Sequence, residues 1–199
     1  MLYMPETASS TAVLIGIDPG SSKLGFCVMT VNVITWEILS TNAFTIVGEK
    51  LMKKDGFLGH IHGERFSRID AIGLRLLELF KLYQPNWVAS ESPFFNPSRP
   101  NAFEVLVEVL FKIRQSLWQY DPWVSLYRID PPTVKNGVGA KGGSSKDPVR
   151  DAILAMAPEL KYIGKTPLDK LDNNAIDSIA VAKTRLELLR GNICPKVKR

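Results

Sequence analysis

Only two cysteines, Cys27 and Cys194, and two histidines, His60 and His62, occur in 199 residues. So little sulfur excludes a disulfide framework and a cysteine-based zinc site. No run of about 18 apolar residues is present, so no membrane-spanning helix is expected. The first twelve residues carry no basic start leading into an apolar block, which argues against secretion and for a reducing, cytoplasmic setting. No internal repeat is evident. Charge excess is modest: a net charge of +5 and a pI near 9.2 weakly favour a polyanionic partner. A hydrophobic content of 45% with 23% charged residues is ordinary for a globular domain, and this length is ample for one core and short for two. Residues 1–11 read as a flexible lead-in, 12–190 as a single domain and 191–199 as a basic tail.

The chain is organised around Val13-Leu14-Ile15-Gly16-Ile17-Asp18-Pro19-Gly20. The apolar run reads as a buried strand. It stops on a carboxylate followed by Pro-Gly, which no central strand continues. A second apolar run, 26–31, returns as an antiparallel partner, and residues 33–39 supply a third strand. The looser pattern from 41 to 63 reads as a loop. His60 and His62 fall there with metal-ligand spacing but no third partner, so an exposed pair is expected.

Helical periodicity runs from Arg65 to about Tyr83, with Phe66, Ile69, Ile72, Leu76, Leu79 and Phe80 on one face. A short strand, 87–90, then ends on Glu91, a second carboxylate at the tip of an apolar strand. Phe94, Phe95 and Arg99 follow in a loop rich in Pro and Asn. Aromatics beside a base either stack on nucleobases or close the core. A second helix is expected over 101–120, a strand over 123–129 and a short helix from Pro131 through Lys135. Residues 137–146 include four glycines, two serines, Lys141 and Lys146, suited either to a phosphate backbone or to a plain linker. A helix over 148–156 and a last one starting within 172–182 complete the order. Asp177, between Ile176 and Ile179, is expected half-buried there, where an Asp needs a partner or a metal.

This constellation resembles the RuvC family of Holliday-junction resolvases, of the RNase H fold. Ile17-Asp18-Pro19-Gly20-Ser21 is similar to that family's opening motif, and Glu91 with Phe94 to its Glu-x-x-Phe. Asn174-Ala175-Ile176-Asp177-Ser178-Ile179-Ala180-Val181-Ala182 is similar to its closing helix. Pro132-Thr133-Val134-Lys135 and the later Lys146 match its basic positions. The resemblance implies an α/β fold with a five-stranded mixed sheet, three strands in an antiparallel meander and two parallel, flanked by helices. It further implies a structure-selective endonuclease acting as a homodimer on branched DNA and leaving 5′-phosphate and 3′-hydroxyl ends. Two Mg²⁺ ions, replaceable by Mn²⁺, would stabilise charge on the attacking and leaving oxygens. Asp18, Glu91 and Asp177 would be the catalytic metal ligands, and Phe94, Arg99, Lys135, Lys141 and Lys146 the DNA contacts.

Two departures stand out. The loop after Glu91 is longer and richer in proline, and Asn174 stands where the family usually has an acid. Asp172 has the better ligand chemistry and Asn174 the better position. At about 100° per residue, Asn174 lies roughly 60° from Asp177 on one helical face. Asp172 is better placed to cap the helix. Asn174 is therefore expected as the fourth ligand. Two alternatives remain open. Residues 16–22 also resemble the phosphate loop of actin-like and sugar-kinase ATPases, which need a second copy of the fold. A junction-binding protein without catalysis is the other, supported by Asn174 and opposed by Asp18, Glu91 and Asp177.

Overall fold

The structure is a computed structural model, and it describes residues 10–52, 56–95, 97–98, 100–140 and 147–191. Arg99, Lys141 and Lys146, together with most of the expected lead-in and basic tail, lie outside the described residues. Strands β1 (Thr11–Asp18), β2 (Lys23–Asn32) and β3 (Ile38–Val47) are followed by helices α1 (Gly48–Met52), α2 (Gly56–His62) and α3 (Glu64–Tyr83). Then come β4 (Trp87–Glu91), α4 (Pro100–Tyr120), β5 (Leu126–Ile129), α5 (Pro131–Gly137), α6 (Pro148–Ala155), α7 (Ala157–Leu160) and α8 (Asn173–Leu189). The sheet runs in the order β3-β2-β1-β4-β5. The first three strands are antiparallel neighbours, and β4 and β5 join in parallel. This is the expected RNase H-like sheet.

Strand alternation gives each face of the sheet its own core. Ile15, Ile17, Phe26, Val28 and Val88 pack against Ile69, Ile72, Leu76, Leu79 and Phe80 of α3 and Val109, Ile113 and Leu117 of α4. On the other face Leu14, Cys27, Met29 and Ala89 pack against Ala175, Ile176, Ile179 and Ala182 of α8. Each large apolar side chain fully buried this way contributes about 1.5–3 kcal/mol.

Two glycines let α8 lie close against β1 and β2. A Cβ on Gly16 would meet Ser178 O at 2.4 Å and Ala182 N at 2.6 Å, and one on Gly25 would meet Asn174 O at 1.9 Å. The obstacles are backbone atoms, so neither position tolerates a side chain without moving the helix. Gly25→Ala is expected to cost about 1–3 kcal/mol by overpacking and to displace the first turn of α8. Denaturant unfolding measures the cost, and a midpoint equal to wild type would contradict this packing.

The structure moves three sequence-based boundaries. The third strand is not 33–39 but Ile38–Val47. Asn32 Oδ1 accepts the backbone N–H groups of Ile34 (2.9 Å) and Thr35 (3.1 Å), folding that β-branched run into a turn with Trp36 at φ 61°. Such side-chain capture of the backbone competes with strand formation. The segment read as a loop, 41–63, holds the rest of β3 and two short helices. Strand β5 begins at Leu126, and Trp123 is left 93% exposed. Phe66, expected in the core stripe of α3, is 58% exposed.

Candidate active site

The register of the sheet brings two of the carboxylates together. Asp18 ends β1 opposite Gly25 of β2. The β1–β4 pairing aligns Ile17 with Ser90, so Asp18 and Glu91, one residue further along each strand, sit side by side. Leu14, Gly16 and Ala89 face α8, and alternate residues share a face; Asp18 and Glu91 therefore face α8 as well. Asp177, half-buried near the start of that helix, completes a rim of three carboxylates supplied by three elements.

Burial dominates their electrostatics. Asp18 is pushed up to about 8 by burial, then by the charges of Asp177, Glu91 and Asp172. Glu91 rises to about 7 through burial and Asp177, with Lys135 opposing and Asp130 adding to the rise. Asp177 rises to about 6 through burial and Asp147, with Arg150 and Lys135 opposing. Among the described residues no hydrogen bond reaches any of the three carboxylates. Nor, among the described residues, do three His, Cys, Asp or Glu side chains lie together as a group that could hold a metal ion. Half-buried carboxylates that repel one another and accept no hydrogen bond from a described residue are chemically suited to a hard divalent cation held by one or two of them. Mg²⁺ commonly takes one or two carboxylates and fills its remaining positions with water and phosphate oxygens.

Asp172 is the N-cap of α8, its carboxylate accepting the Ala175 N–H at 3.0 Å and a hydrogen bond from the Thr45 hydroxyl. Asn174 is half-buried one turn before Asp177. Lys135, on α5, is exposed and close enough to lower both Glu91 and Asp177. Phe94 and Phe95 are 66% and 54% exposed, so neither closes the core; Phe95 packs edge-on to Phe103. His60 and His62 lie exposed on α2, away from the carboxylates, with the His62 ring against Phe66.

Three residues around the rim carry roles that the sequence reading leaves unassigned. Asp130 and Asp147 are the N-caps of α5 and α6, each followed by Pro at the first helical position, and that Asp-Pro pair is a visible signal. Arg150 gives none. Its guanidinium donates to Leu171 O and Asn173 Oδ1, both at 2.8 Å, and lies 3.5 Å from the Asp147 carboxylate. It thereby pins α6 to the start of α8.

No family model matches the chain, and no curated protein matches it significantly. Solved structures do. RuvC of Thermus thermophilus in complex with a Holliday-junction substrate is 19% identical with a TM-score of 0.61, over 90% of this chain and 96% of that one. The yeast mitochondrial Holliday junction resolvase Ydc2 is 15% identical with a TM-score of 0.57, over 90% of this chain and 83% of that one. Fowlpox virus resolvase with Holliday-junction DNA is 13% identical with a TM-score of 0.51, over 89% and 98%. The fold is that of the RuvC-like resolvases.

Proposed function

We propose that this chain is a divalent-metal-dependent endonuclease that resolves four-way DNA junctions. The observation that carries this reading is the rim of Asp18, Glu91 and Asp177, half-buried and without a hydrogen bond from any described residue, on a resolvase fold. Asp18, Glu91 and Asp177, with Asn174 through its amide oxygen or a water, would hold Mg²⁺ or Mn²⁺. Bound there, two such ions would stabilise charge on the attacking and leaving oxygens of a phosphodiester. Lys135 would take a backbone phosphate beside the rim, and Phe94 would stack on an unpaired base at the branch. Hydrolysis would leave a 5′-phosphate and a 3′-hydroxyl. A DNA ligase tests that outcome: it should seal the paired nicks of a resolved junction without prior end repair. Nicks that resist ligase would contradict the chemistry.

Asn174 bears on the rival reading, a junction-binding protein without catalysis. A neutral ligand holds Mg²⁺ less tightly than a carboxylate, so cleavage should need more of it. Asn174→Asp is expected to lower the Mg²⁺ concentration for half-maximal cleavage several-fold, and Asp172→Asn to cost stability, about 0.5–2 kcal/mol as a lost cap. Loss of activity at saturating Mg²⁺ in folded Asp172→Asn would make Asp172 the fourth ligand instead. Junction binding without cleavage, by wild type and by Asn174→Asp alike, would favour the rival.

Two opposed nicks in a nearly two-fold symmetric junction call for two sites related by a matching axis, so the active form is a homodimer. The outer side of α3 and α4 supports this, with a groove of about 380 Å³ lined by Phe66, Val107 and Phe111. Phe111 is 68% exposed. Sedimentation at micromolar concentration should give a dimer for wild type and a monomer for Phe111→Glu. A monomeric wild type, with and without junction DNA, would refute it.

A further inference from the structure

Only 22% of the Arg150 side chain is exposed, and its guanidinium is turned to the segment that leads into α8. One terminal nitrogen donates to Leu171 O and to Asn173 Oδ1, both at 2.8 Å, and the other reaches Asp169 O at 3.5 Å. Nε lies 3.5 Å from the Asp147 carboxylate of its own helix. The connector into α8 holds one turn of 3₁₀ helix, Leu168–Lys170, and the carbonyl of buried Leu171 takes its partner from α6. From the other side Asp172 accepts the Thr45 hydroxyl of β3. The first turn of α8, which carries Asn174 and leads into Asp177, is thus held from β3 and from α6.

Charge alone argues against a cation at this place. Arg150 is close enough to act on Asp177, and a cation so near repels a divalent ion. Geometry argues for it: a planar guanidinium with five donors in a rigid fork bridges several acceptors at fixed angles. With both terminal nitrogens turned to the connector, it is not free to take substrate. Resting on the junction-nuclease reading, we infer that Arg150 is a positioning residue. It holds the first turn of α8 so that Asn174 and Asp177 are arranged toward Asp18 and Glu91 before a metal arrives. The gain is in apparent metal affinity, because a site only partly populated in its competent arrangement binds more weakly by that fraction. Neutral Asn174 raises the need, since it attracts a cation less than an acid does and so lets the metal organise the turn less.

Two measurements on Arg150→Gln test this. The first is amide hydrogen exchange in metal-free protein, so that the result does not depend on cleavage. Exchange at residues 175–177 should rise by at least about tenfold, while residues 180–186 change by less than about twofold. Wild-type rates at 175–177 overturn the clamp. The second is junction cleavage against Mg²⁺ concentration at one fixed pH. The half-maximal concentration should rise about three- to tenfold, with the rate at saturating Mg²⁺ within about threefold of wild type. An unchanged midpoint overturns the positioning role, and a lowered one means that Arg150 acts by charge alone. A larger fall in the saturating rate, in folded protein, places Arg150 on the substrate and overturns the role as well. Ile153→Val weakens the same helix without touching the guanidinium and should leave the midpoint at wild type; a matching rise there makes the effect one of stability. If Arg150→Gln does not fold, Asn173→Ala, at an exposed side chain, removes one of the same hydrogen bonds. It should move both readouts in the same directions by at least about twofold, and no movement in either overturns the proposal. Failure of wild type to cut any junction overturns the nuclease reading, and hydrogen exchange alone then decides whether Arg150 holds the turn.

Discussion

Asp18→Asn is expected to reduce junction cleavage by about 10³-fold while leaving junction affinity within a few-fold of wild type. Asp18 is the carboxylate on which both others act: the charges of Asp177 and Glu91 each push it up. The amide keeps the size of the side chain and removes the anion that would hold metal at the centre of the rim. A metal that stabilises transition-state charge is worth several kcal/mol, and each 1.36 kcal/mol is tenfold in rate. Affinity, by contrast, comes mainly from cations on backbone phosphates, and Lys135 is untouched. Single-turnover cleavage and gel-shift titration on the same junction separate the two quantities. A mutant cutting faster than about a tenth of the wild-type rate would remove Asp18 from the centre of the mechanism.

Metal-free protein is expected to become more stable as the pH falls from about 8.5 to 5.5. Burial and neighbouring acids push Asp18, Glu91 and Asp177 up to about 8, 7 and 6, against about 4 for an unfolded carboxylate. Between those values the folded chain binds more protons than the unfolded one. The stability from these groups is thus complete below about pH 4 and is lost as the pH rises through 6 to 8. Allowing for screening at a partly exposed rim, about 2–3 kcal/mol is expected over this range, or roughly 4–12 °C in melting temperature. Asp18→Asn should flatten the profile and melt higher than wild type at pH 8. The buried charge of the rim costs the metal-free fold stability. Mg²⁺ should raise the wild-type melting temperature most at high pH, where the carboxylates are ionised. Thermal melts in a chelator that do not change with pH would contradict the burial and repulsion described for the rim.

How far the site is legible in the sequence depends on whether its signals are local. Asp18 and Glu91 each end an apolar strand, and a lone carboxylate after such a run is visible without tertiary information. Asp177 is marked by Ile176 and Ile179 on either side. The short helices α1 and α2 are hidden by Gly48, Gly56 and Gly59, poor helix formers in a segment that gains its order by packing on α3. Gly48, for example, sits against Ile72 and the backbone of Ser21. The hairpin at 33–37 reads as strand because Val33, Ile34 and Thr35 favour strands, whereas one side chain, Asn32, decides the turn. Arg150 is beyond reach: its hydrogen bonds join residues about twenty positions apart, and nothing around it in the chain announces them.

Cleavage of a synthetic four-way junction, beside a linear duplex of the same sequence and an RNA–DNA hybrid, tests the central claim most directly. With saturating Mg²⁺, wild-type protein should nick the junction symmetrically on two opposed strands, leave duplex and hybrid essentially intact, and lose all cutting in chelator. Equal cutting of duplex or hybrid, or binding of the junction without cutting at any Mg²⁺ or Mn²⁺ concentration, would contradict it.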